Sequence, residues 1–176
     1  MNYATELEWH KDLLVLLAKR MKPKCYLELG CRTDPAFLYL AQYCQTIVGV
    51  DKDSADYQPP PNAHVYRMTT DQFFLGPGLS IPPPELVLID ACHEKTQVNK
   101  DFDGVASIAA PNCIVVLHDT FPENDGYVDP NYCHDSYRVP PMLLEAGWET
   151  VTLPFPPGVT ICRLRPTSLL SAELLR

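Results

Sequence analysis

The segment Tyr26-Leu27-Glu28-Leu29-Gly30-Cys31-Arg32-Thr33-Asp34-Pro35 decides the fold. It completes a short apolar run, Cys25–Leu29, whose continuous pattern is typical of a strand buried on both faces. Gly30 then allows a close turn, and Asp34-Pro35 favours a helix start because a capping acceptor precedes a proline at the first helical position. This order of strand, turn and helix predicts the first unit of an open α/β sheet.

The same alternation continues along the chain. Apolar runs of four to six residues predict strands, and helical patterns such as 94–110, with Val98, Phe102 and Val105 on one face, separate them. The predicted strands are Cys25–Leu29, Thr46–Val50, His64–Arg67, Glu85–Ile89, Cys113–Leu117, Trp148–Leu153 and Val159–Leu164. We therefore predict a Rossmann-like, doubly wound α/β sheet of seven strands, mostly parallel, with an antiparallel pair at its C-terminal edge.

The chain is long enough for one domain with an ordinary core. It has 176 residues, of which 46% are hydrophobic and 20% charged, and its 18 prolines fall mainly between the predicted elements. We expect a single domain over 1–176, divided into an N-terminal helical region 1–23, a core 24–164 and a tail 165–176. The helix, expected over 6–21, opens with a capping box at Thr5-Glu6-Leu7-Glu8, and Tyr137–Ala146 is expected to form another. The tail is either a frayed end or an oligomer contact.

Composition excludes several classes of protein. The net charge of -8 argues against a general nucleic-acid binder, which needs a basic face. There is neither an apolar run of about 18–20 residues nor a basic N-terminal signal, so we expect a soluble, cytoplasmic protein away from membranes. The seven cysteines include no C-x-x-C pair and indicate neither a disulfide framework nor a zinc ribbon.

Asp51 ends the second predicted strand, 21 residues after Gly30. A carboxylate at this place can accept both ribose hydroxyls of an adenosine, which serves NAD and S-adenosylmethionine equally well. Alternatively, Asp51 caps the strand or the next turn. The absence of a full G-x-G-x-x-G motif disfavours a pyrophosphate site at this turn.

Glu28-x-Gly30 and Asp51 together resemble the class I S-adenosylmethionine-dependent methyltransferases, and the element order resembles them over about residues 5–165. The family usually has a further glycine where this chain has Asp34. The resemblance implies S-adenosylmethionine as cofactor, with Asp51 at its ribose. The other implied cofactor-binding residues are Glu28 and Gly30 at the methionine portion, Asp71 on the adenine side, and Cys31, Arg32 and Asp90. Whether Arg32 pairs with the cofactor's carboxylate is left open. For Asp71 the alternative is a helix N-cap before Gln72-Phe73-Phe74.

Two predicted neighbouring strands each deliver a carboxylate and an imidazole at their carboxyl ends. Asp90-x-x-His93 follows the fourth strand, and His118-Asp119 ends the fifth. Core packing explains this poorly, because such groups are costly to bury without partners. A hydroxyl acceptor must lose a proton during methyl transfer, which His93, or secondly His118, can take as general base. Asp90 and Asp119 can hold a divalent cation that lowers the acceptor's pKa.

The segment 90–121 resembles the small-molecule O-methyltransferases of natural-product and sugar modification, where an Asp-x-x-His follows strand four and an acidic pair follows strand five. In this chain His118 replaces the first acid of that pair. Because magnesium prefers oxygen ligands, this substitution weakens the case for magnesium and leaves manganese, another transition metal or no metal open. His118 can also be a hydrogen-bonded structural residue, and His10 and His64 are expected to be surface or structural residues.

We therefore expect O-methylation of a small hydroxylated acceptor. The loop 119–136 either covers that acceptor with its aromatic residues or is a surface loop without a catalytic role. The alternatives are a nucleotide-dependent Rossmann-like oxidoreductase, which the missing glycines disfavour, and a non-catalytic cofactor-binding domain. A homo-oligomer is expected because little sequence before strand one is available to cover a substrate. No nucleic-acid partner is expected.

Overall fold

The computed structural model describes residues 9–32, 35–53 and 59–164. Three sequence predictions fall outside these ranges: the capping box at residues 5–8, the N-cap at Asp34 and the tail 165–176. The helices of the described ranges are α1 Trp9–Met21, α2 Pro35–Leu40, α3 Thr70–Phe74, α4 Lys95–Ile108 and α5 Val139–Glu145. Short 3-10 helices cover Pro77–Ser80, Asp125–Val128 and Ser136–Arg138. None of the helices in these ranges is long and apolar enough to cross a membrane.

The predicted sheet is confirmed. Its strands are β1 Cys25–Leu29, β2 Thr46–Val50, β3 Ala63–Tyr66, β4 Leu86–Ile89, β5 Ile114–His118, β6 Trp148–Leu153 and β7 Val159–Leu164. They lie in the order β3-β2-β1-β4-β5-β7-β6, so β1 is central. The pairs among the first five strands are parallel, whereas β7 runs antiparallel to both β5 and β6. The carboxyl ends of β1, β2, β4 and β5 consequently meet at one edge of the sheet.

The boundaries of four predicted elements need correction. The predicted strands His64–Arg67 and Cys113–Leu117 are shifted by one residue from β3 and β5, and β4 begins after Glu85. The helix predicted over Tyr137–Ala146 is divided into a 3-10 turn and α5, which has prolines at its first positions. Proline lacks an N–H and fits only the first turn of an α-helix, so the regular helix begins there.

The sheet separates two apolar layers. On one face, residues of the central strands pack with α1 and α2 through Leu14, Ala18, Phe37 and Leu40. On the other face, the strands pack with α3, α4 and α5, and the buried contacts there are made by Phe73, Val98, Phe102, Val105 and Leu143. Burying each large apolar side chain contributes about 1.5–3 kcal/mol. The strands whose carboxyl ends carry the polar residues are therefore packed between two apolar layers.

Candidate active site

The turn after β1 lies tightly against the end of β4. Gly30 has a φ of +96°, and a Cβ atom at this position would come within 2.1 Å of the carbonyl oxygen of Asp90. The Gly30 N–H also donates to the Val50 carbonyl at 2.8 Å, at the end of β2. Glycine is required here both for its backbone conformation and for the close approach of the two chain segments.

Asp51 holds two turns together. One carboxylate oxygen accepts from the backbone N–H of Arg32 at 3.0 Å, and the other accepts from the backbone N–H of Asp53 at 2.7 Å. The turn-capping role considered for Asp51 is thus present in the structure. Carboxylate oxygens have further lone pairs, so these bonds leave Asp51 able to accept from a ligand.

A cavity of about 440 Å³, here named the Asp51 cavity, opens beside this residue. Its size falls in the range of small-molecule and cofactor sites. It is lined by Gly30, Arg32, Val50, Asp51, Lys52, Asp53, Met68, Thr69, Thr70, Asp71, Ala91, Cys92 and Gln97. Of the predicted cofactor-binding residues, the structure brings Gly30, Arg32, Asp51 and Asp71 together here.

Glu28 does not line this cavity. Its side chain is buried, and its carboxylate accepts a hydrogen bond from the Tyr26 hydroxyl at 2.6 Å. Because β1 is buried on both faces, a carboxylate in its middle needs such a partner. The structure thus gives the Glu28 carboxylate a partner within β1, the Tyr26 hydroxyl.

Asp71 lies in the first turn of α3, so a helix is present where the N-cap alternative for Asp71 expected one. Thr69, rather than Asp71, is the N-cap, and it forms a reciprocal capping box with Gln72. Asp71 accepts from the Gln97 side chain at 3.0 Å and from Lys100 at 3.4 Å. The hydrogen bond from Gln97 and the nearby ammonium group lower the pKa of Asp71, so its carboxylate is held ionised at the cavity wall.

Gln97 also connects this wall to a buried acid on α4. Its amide lies 3.0 Å from Asp101, whose side chain is fully buried, and 3.1 Å from the hydroxyl of Thr70. Burial raises the pKa of Asp101 to about 6. Sequence reasoning missed Gln97 and Asp101, although their spacing of four residues places both on one face of a helix.

The two acid and imidazole pairs meet at the ends of β4 and β5. His93 Nε2 lies 3.0 Å from Asp119 Oδ2 and 3.6 Å from Asp90 Oδ1. His118 Nδ1 lies 3.2 Å from Asp90 Oδ1 and 3.3 Å from Asp119 Oδ2. Each carboxylate therefore contacts both imidazoles, and the four side chains form one cluster.

These contacts change the protonation of both imidazoles. Burial opposes charging of His93, but its hydrogen bonds to Asp119 and Asp90 outweigh burial and raise its pKa to about 10. For His118, burial is likewise outweighed, here first by the charge of Asp90, and the pKa also rises to about 10. The imidazolium charge of His118 in turn holds the pKa of Asp90 well below its usual range in spite of burial.

The loop 119–136 fixes Asp119 in an unusual conformation. Asp119 has a φ of +59°, a region that few non-glycine residues adopt. The Ser136 hydroxyl donates to the Asp119 carbonyl at 2.5 Å, and the buried Cys133 thiol lies 4.0 Å from the Asp119 carboxylate. Strained backbone of this kind persists where the surroundings hold it, and it often occurs at functional sites.

His10 is buried rather than on the surface, and it lies beside this cluster. Helix α1 buries it to 4% exposure, and its ring lies 3.9 Å from that of His118, between centroids, at an angle of 40°. His64, by contrast, is exposed on β3. Periodicity did not reveal His10 because a polar residue near a helix start gives no signal of a partner more than a hundred residues away.

The cluster opens into a second cavity of about 730 Å³, here named the His93 cavity. Asp90, His93, His118, Asp119 and His10 contribute to its walls, and Cys31 does as well. Pro130, Asn131 and Tyr132 from the loop 119–136 line it too. The two cavities share Gly30, Arg32, Lys52, Ala91 and Cys92. A ligand in the Asp51 cavity would therefore lie next to the imidazole and carboxylate groups.

Two overlapping groups of side chains could hold a metal ion. In each of the sets His10, Asp90, His118 and Asp90, His93, Asp119, the ligand atoms lie within 4.8 Å of one another. The predicted metal ligands Asp90 and Asp119 are thus close together, and the second set has two carboxylates and one imidazole. Such a donor set fits a divalent cation, and the nitrogen atoms shift its preference away from magnesium.

Residues 37–120 match the model of a protein family described as a methyltransferase domain. No curated protein sequence matches the chain significantly. Many solved structures do match, at low sequence identity. Cofactor-bound Rv0187 from MTB is 17% identical, with a TM-score of 0.70 over 94% of this chain and 84% of that chain.

Two further solved structures share the fold. The O-methyltransferase TomG from Streptomyces achromogenes, in complex with SAM, is 17% identical with a TM-score of 0.69, over 89% of this chain and 80% of that one. The MycE methyltransferase of the mycinamycin pathway, in complex with Mg and SAH, is 15% identical with a TM-score of 0.66, over 93% of this chain and 50% of that one. Residues 37–120, slightly under half of the chain, thus match a methyltransferase-domain model, and the described part of the chain has the fold of these solved structures, among them the methyltransferases TomG and MycE.

Proposed function

We propose that the chain is an S-adenosylmethionine-dependent methyltransferase and that it transfers a methyl group to a hydroxyl of a small molecule. The observation that carries the proposal is the position of His93, whose Nε2 lies 3.0 Å from Asp119 in the wall of the His93 cavity. An imidazole paired with a carboxylate, facing an open cavity beside the Asp51 cavity, is a suitable general base for a hydroxyl group.

The Asp51 cavity is the proposed place of S-adenosylmethionine. Asp51 would accept from its ribose hydroxyls, Asp71 would lie on the adenine side, and Gly30, Cys31 and Arg32 would lie at its methionine portion. When bound, this cosubstrate supplies an electrophilic methyl group on a positively charged sulfur. Asp90 follows β4 directly and lines the His93 cavity. Its backbone lies against Gly30, which lines both cavities.

His93 accepts the acceptor's proton at Nε2 in this proposal, and Asp119 stabilises the imidazolium that forms. An imidazolium cannot take up a second proton. Asp90 and Asp119 keep the pKa of His93 near 10 as long as their negative charge is uncompensated, so His93 stays protonated under that condition. His93 therefore acts as base when positive charge other than its own proton offsets these carboxylates. A divalent cation held by Asp90 and Asp119, together with the sulfonium, would supply that charge.

Two further observations support a small hydroxylated acceptor. The His93 cavity is of a size suited to a small molecule. The loop 119–136 contributes Tyr132 to its wall, and a ring at the mouth of a cavity is suited to contact an apolar or aromatic acceptor. TomG, with the same fold, is an O-methyltransferase.

The expected homo-oligomer stays a prediction, which light scattering of the purified protein would test.

The test is methyl transfer from methyl-labelled S-adenosylmethionine to a panel of phenols, catechols and sugars, with amines of similar shape beside them. We expect label in the hydroxylated compounds, and we expect His93→Ala to lower turnover about 10²–10⁴-fold with unchanged affinity for S-adenosylhomocysteine. His64→Ala is the matched control, since His64 is exposed on β3. Labelling of amines alone, or full turnover in His93→Ala, would overturn the proposal.

A further inference from the structure

His10, Asp90 and His118 form a compact group, here named the inner triad. They come from α1, from the end of β4 and from the end of β5, and one ligand atom of each lies within 4.8 Å of the others. The two imidazole rings are in contact, 3.9 Å apart between centroids. Three separate elements thus place two nitrogen donors and one oxygen donor within 4.8 Å of one another.

His118 has an unused nitrogen in this group. Its Nδ1 lies close to Asp90 and Asp119, but its Nε2 is buried and has no hydrogen-bond partner among the described residues. The side chain is only 10% exposed. A buried polar atom without a partner is destabilising, so its presence calls for an explanation. A ligand bound at this nitrogen would remove the cost.

The donor set indicates the kind of ligand. Mg²⁺ prefers a shell of oxygen atoms, whereas imidazole suits zinc, iron, copper and nickel. Two histidines and one carboxylate, with positions left open, are a donor set that iron(II) and related divalent ions take. The inner triad also opens to the His93 cavity, which gives an ion a path of entry.

We propose that His10, Asp90 and His118 bind a divalent transition-metal ion and that α1 contributes a ligand through His10. The role of this ion rests on the proposed function and refines it: His10 and His118, rather than Asp119, complete the ligands of the cation at Asp90, and Asp119 stays the partner of His93. Binding itself needs no methyl transfer. This ligand set leaves His93 free as the base. The rival set Asp90, His93 and Asp119 would consume the base as a ligand.

The test uses Co²⁺ as a probe on the full-length chain after treatment with a chelator. Titration is followed by calorimetry and by the visible absorption of bound Co²⁺, which reports nitrogen ligation without any turnover. We expect one Co²⁺ per chain, bound at least about tenfold more tightly than Mg²⁺. We expect the affinity for Co²⁺ to fall by at least about tenfold in His10→Ala and in His118→Ala, and to stay unchanged in His93→Ala and His64→Ala.

A second substitution protects the test from failed folding. His118→Asp exchanges a nitrogen donor for an oxygen donor and should shift the preference from Co²⁺ towards Mg²⁺, provided that the thermal unfolding of the variant shows a folded protein. Equal affinity for Mg²⁺ and Co²⁺ in the wild type, loss of binding in His93→Ala with full binding in His10→Ala, or no binding of Co²⁺ would each overturn the inference. S-adenosylhomocysteine binding is measured separately, so a failure of the proposed function is seen independently of metal binding.

Discussion

Gly30 shows how strongly a single residue controls this site. Gly30 has a φ of +96°. A Cβ atom at this position would lie only 2.1 Å from the backbone carbonyl oxygen of Asp90. Gly147 has a similar φ of +90°, but no atom lies within 4 Å of the place that a Cβ atom would take there. The two glycines therefore separate the cost of backbone strain from the cost of collision.

We predict that Gly30→Ala lowers the free energy of unfolding by about 3 kcal/mol or more, because strain and collision add. Gly147→Ala should lower it by only about 1–2 kcal/mol, the cost of strain alone. Urea denaturation of both variants measures this difference. Equal losses of stability in the two variants would contradict the close packing of the β1 turn against the end of β4.

Asp101 gives a prediction of pH dependence. Burial raises its pKa from 3.8 to about 6, so the folded protein binds this proton more tightly than the unfolded chain does. The wild type consequently loses stability from this group as the pH rises from about 4 to 6, and the loss persists at higher pH. The difference between the two pKa values corresponds to about 3 kcal/mol.

Asp101→Asn should therefore be more stable than the wild type at pH 7.5, by up to about 3 kcal/mol, and this advantage should shrink as the pH falls from 6 to 4. Asp103→Asn, at an exposed position of the same helix, is the matched control and should show little change. Chemical denaturation at several pH values measures the difference. If the Asp101→Asn variant is no more stable than the wild type, or is more stable by the same amount at every pH, then burial does not raise the pKa of Asp101.

At this scale, the sequence predicts the site unevenly. The nearness of Asp90, His93, His118 and Asp119 was predictable because the ends of adjacent parallel strands meet at one edge of a sheet. The contact of His10 with this cluster was not. It depends on how α1 packs across the sheet, and helix periodicity identifies a face without identifying the partner of each residue on it.

At the scale of elements, strands were easier to predict than short helices. Continuous apolar runs between prolines and glycines located every strand to within about a residue, since few other structures bury such runs on both faces. Helix α3 has only five residues, which is too short for periodicity to show. Its existence depends on the capping box between Thr69 and Gln72, a local interaction that also positions Asp71.

The cap of α3 can be tested directly. Thr69→Ala removes the oxygen that accepts from the Gln72 N–H, and we expect it to lower the free energy of unfolding by about 1 kcal/mol. Thr69→Ser keeps the oxygen and should stay within about 0.5 kcal/mol of the wild type. Thermal or urea unfolding distinguishes the two. If both variants lose the same stability, the methyl group of Thr69 matters and the cap does not.

At the scale of the whole molecule, the sheet brings two cavities to one edge. The Asp51 cavity and the His93 cavity share five residues around the Gly30 turn and the segment after β4. In the proposed function, this arrangement would hold a cofactor and an acceptor side by side, as group transfer requires. The size of each cavity could not be predicted from sequence, because it depends on loops whose shape follows from tertiary packing.

The central claim is that the Asp51 cavity binds S-adenosylmethionine. The most direct measurement is calorimetric titration of the purified chain with S-adenosylhomocysteine and, separately, with NAD. We predict one S-adenosylhomocysteine bound per chain, at least about tenfold weaker binding in Asp51→Ala, unchanged binding in Asp103→Ala, and no binding of NAD. Binding of NAD without S-adenosylhomocysteine would contradict this claim.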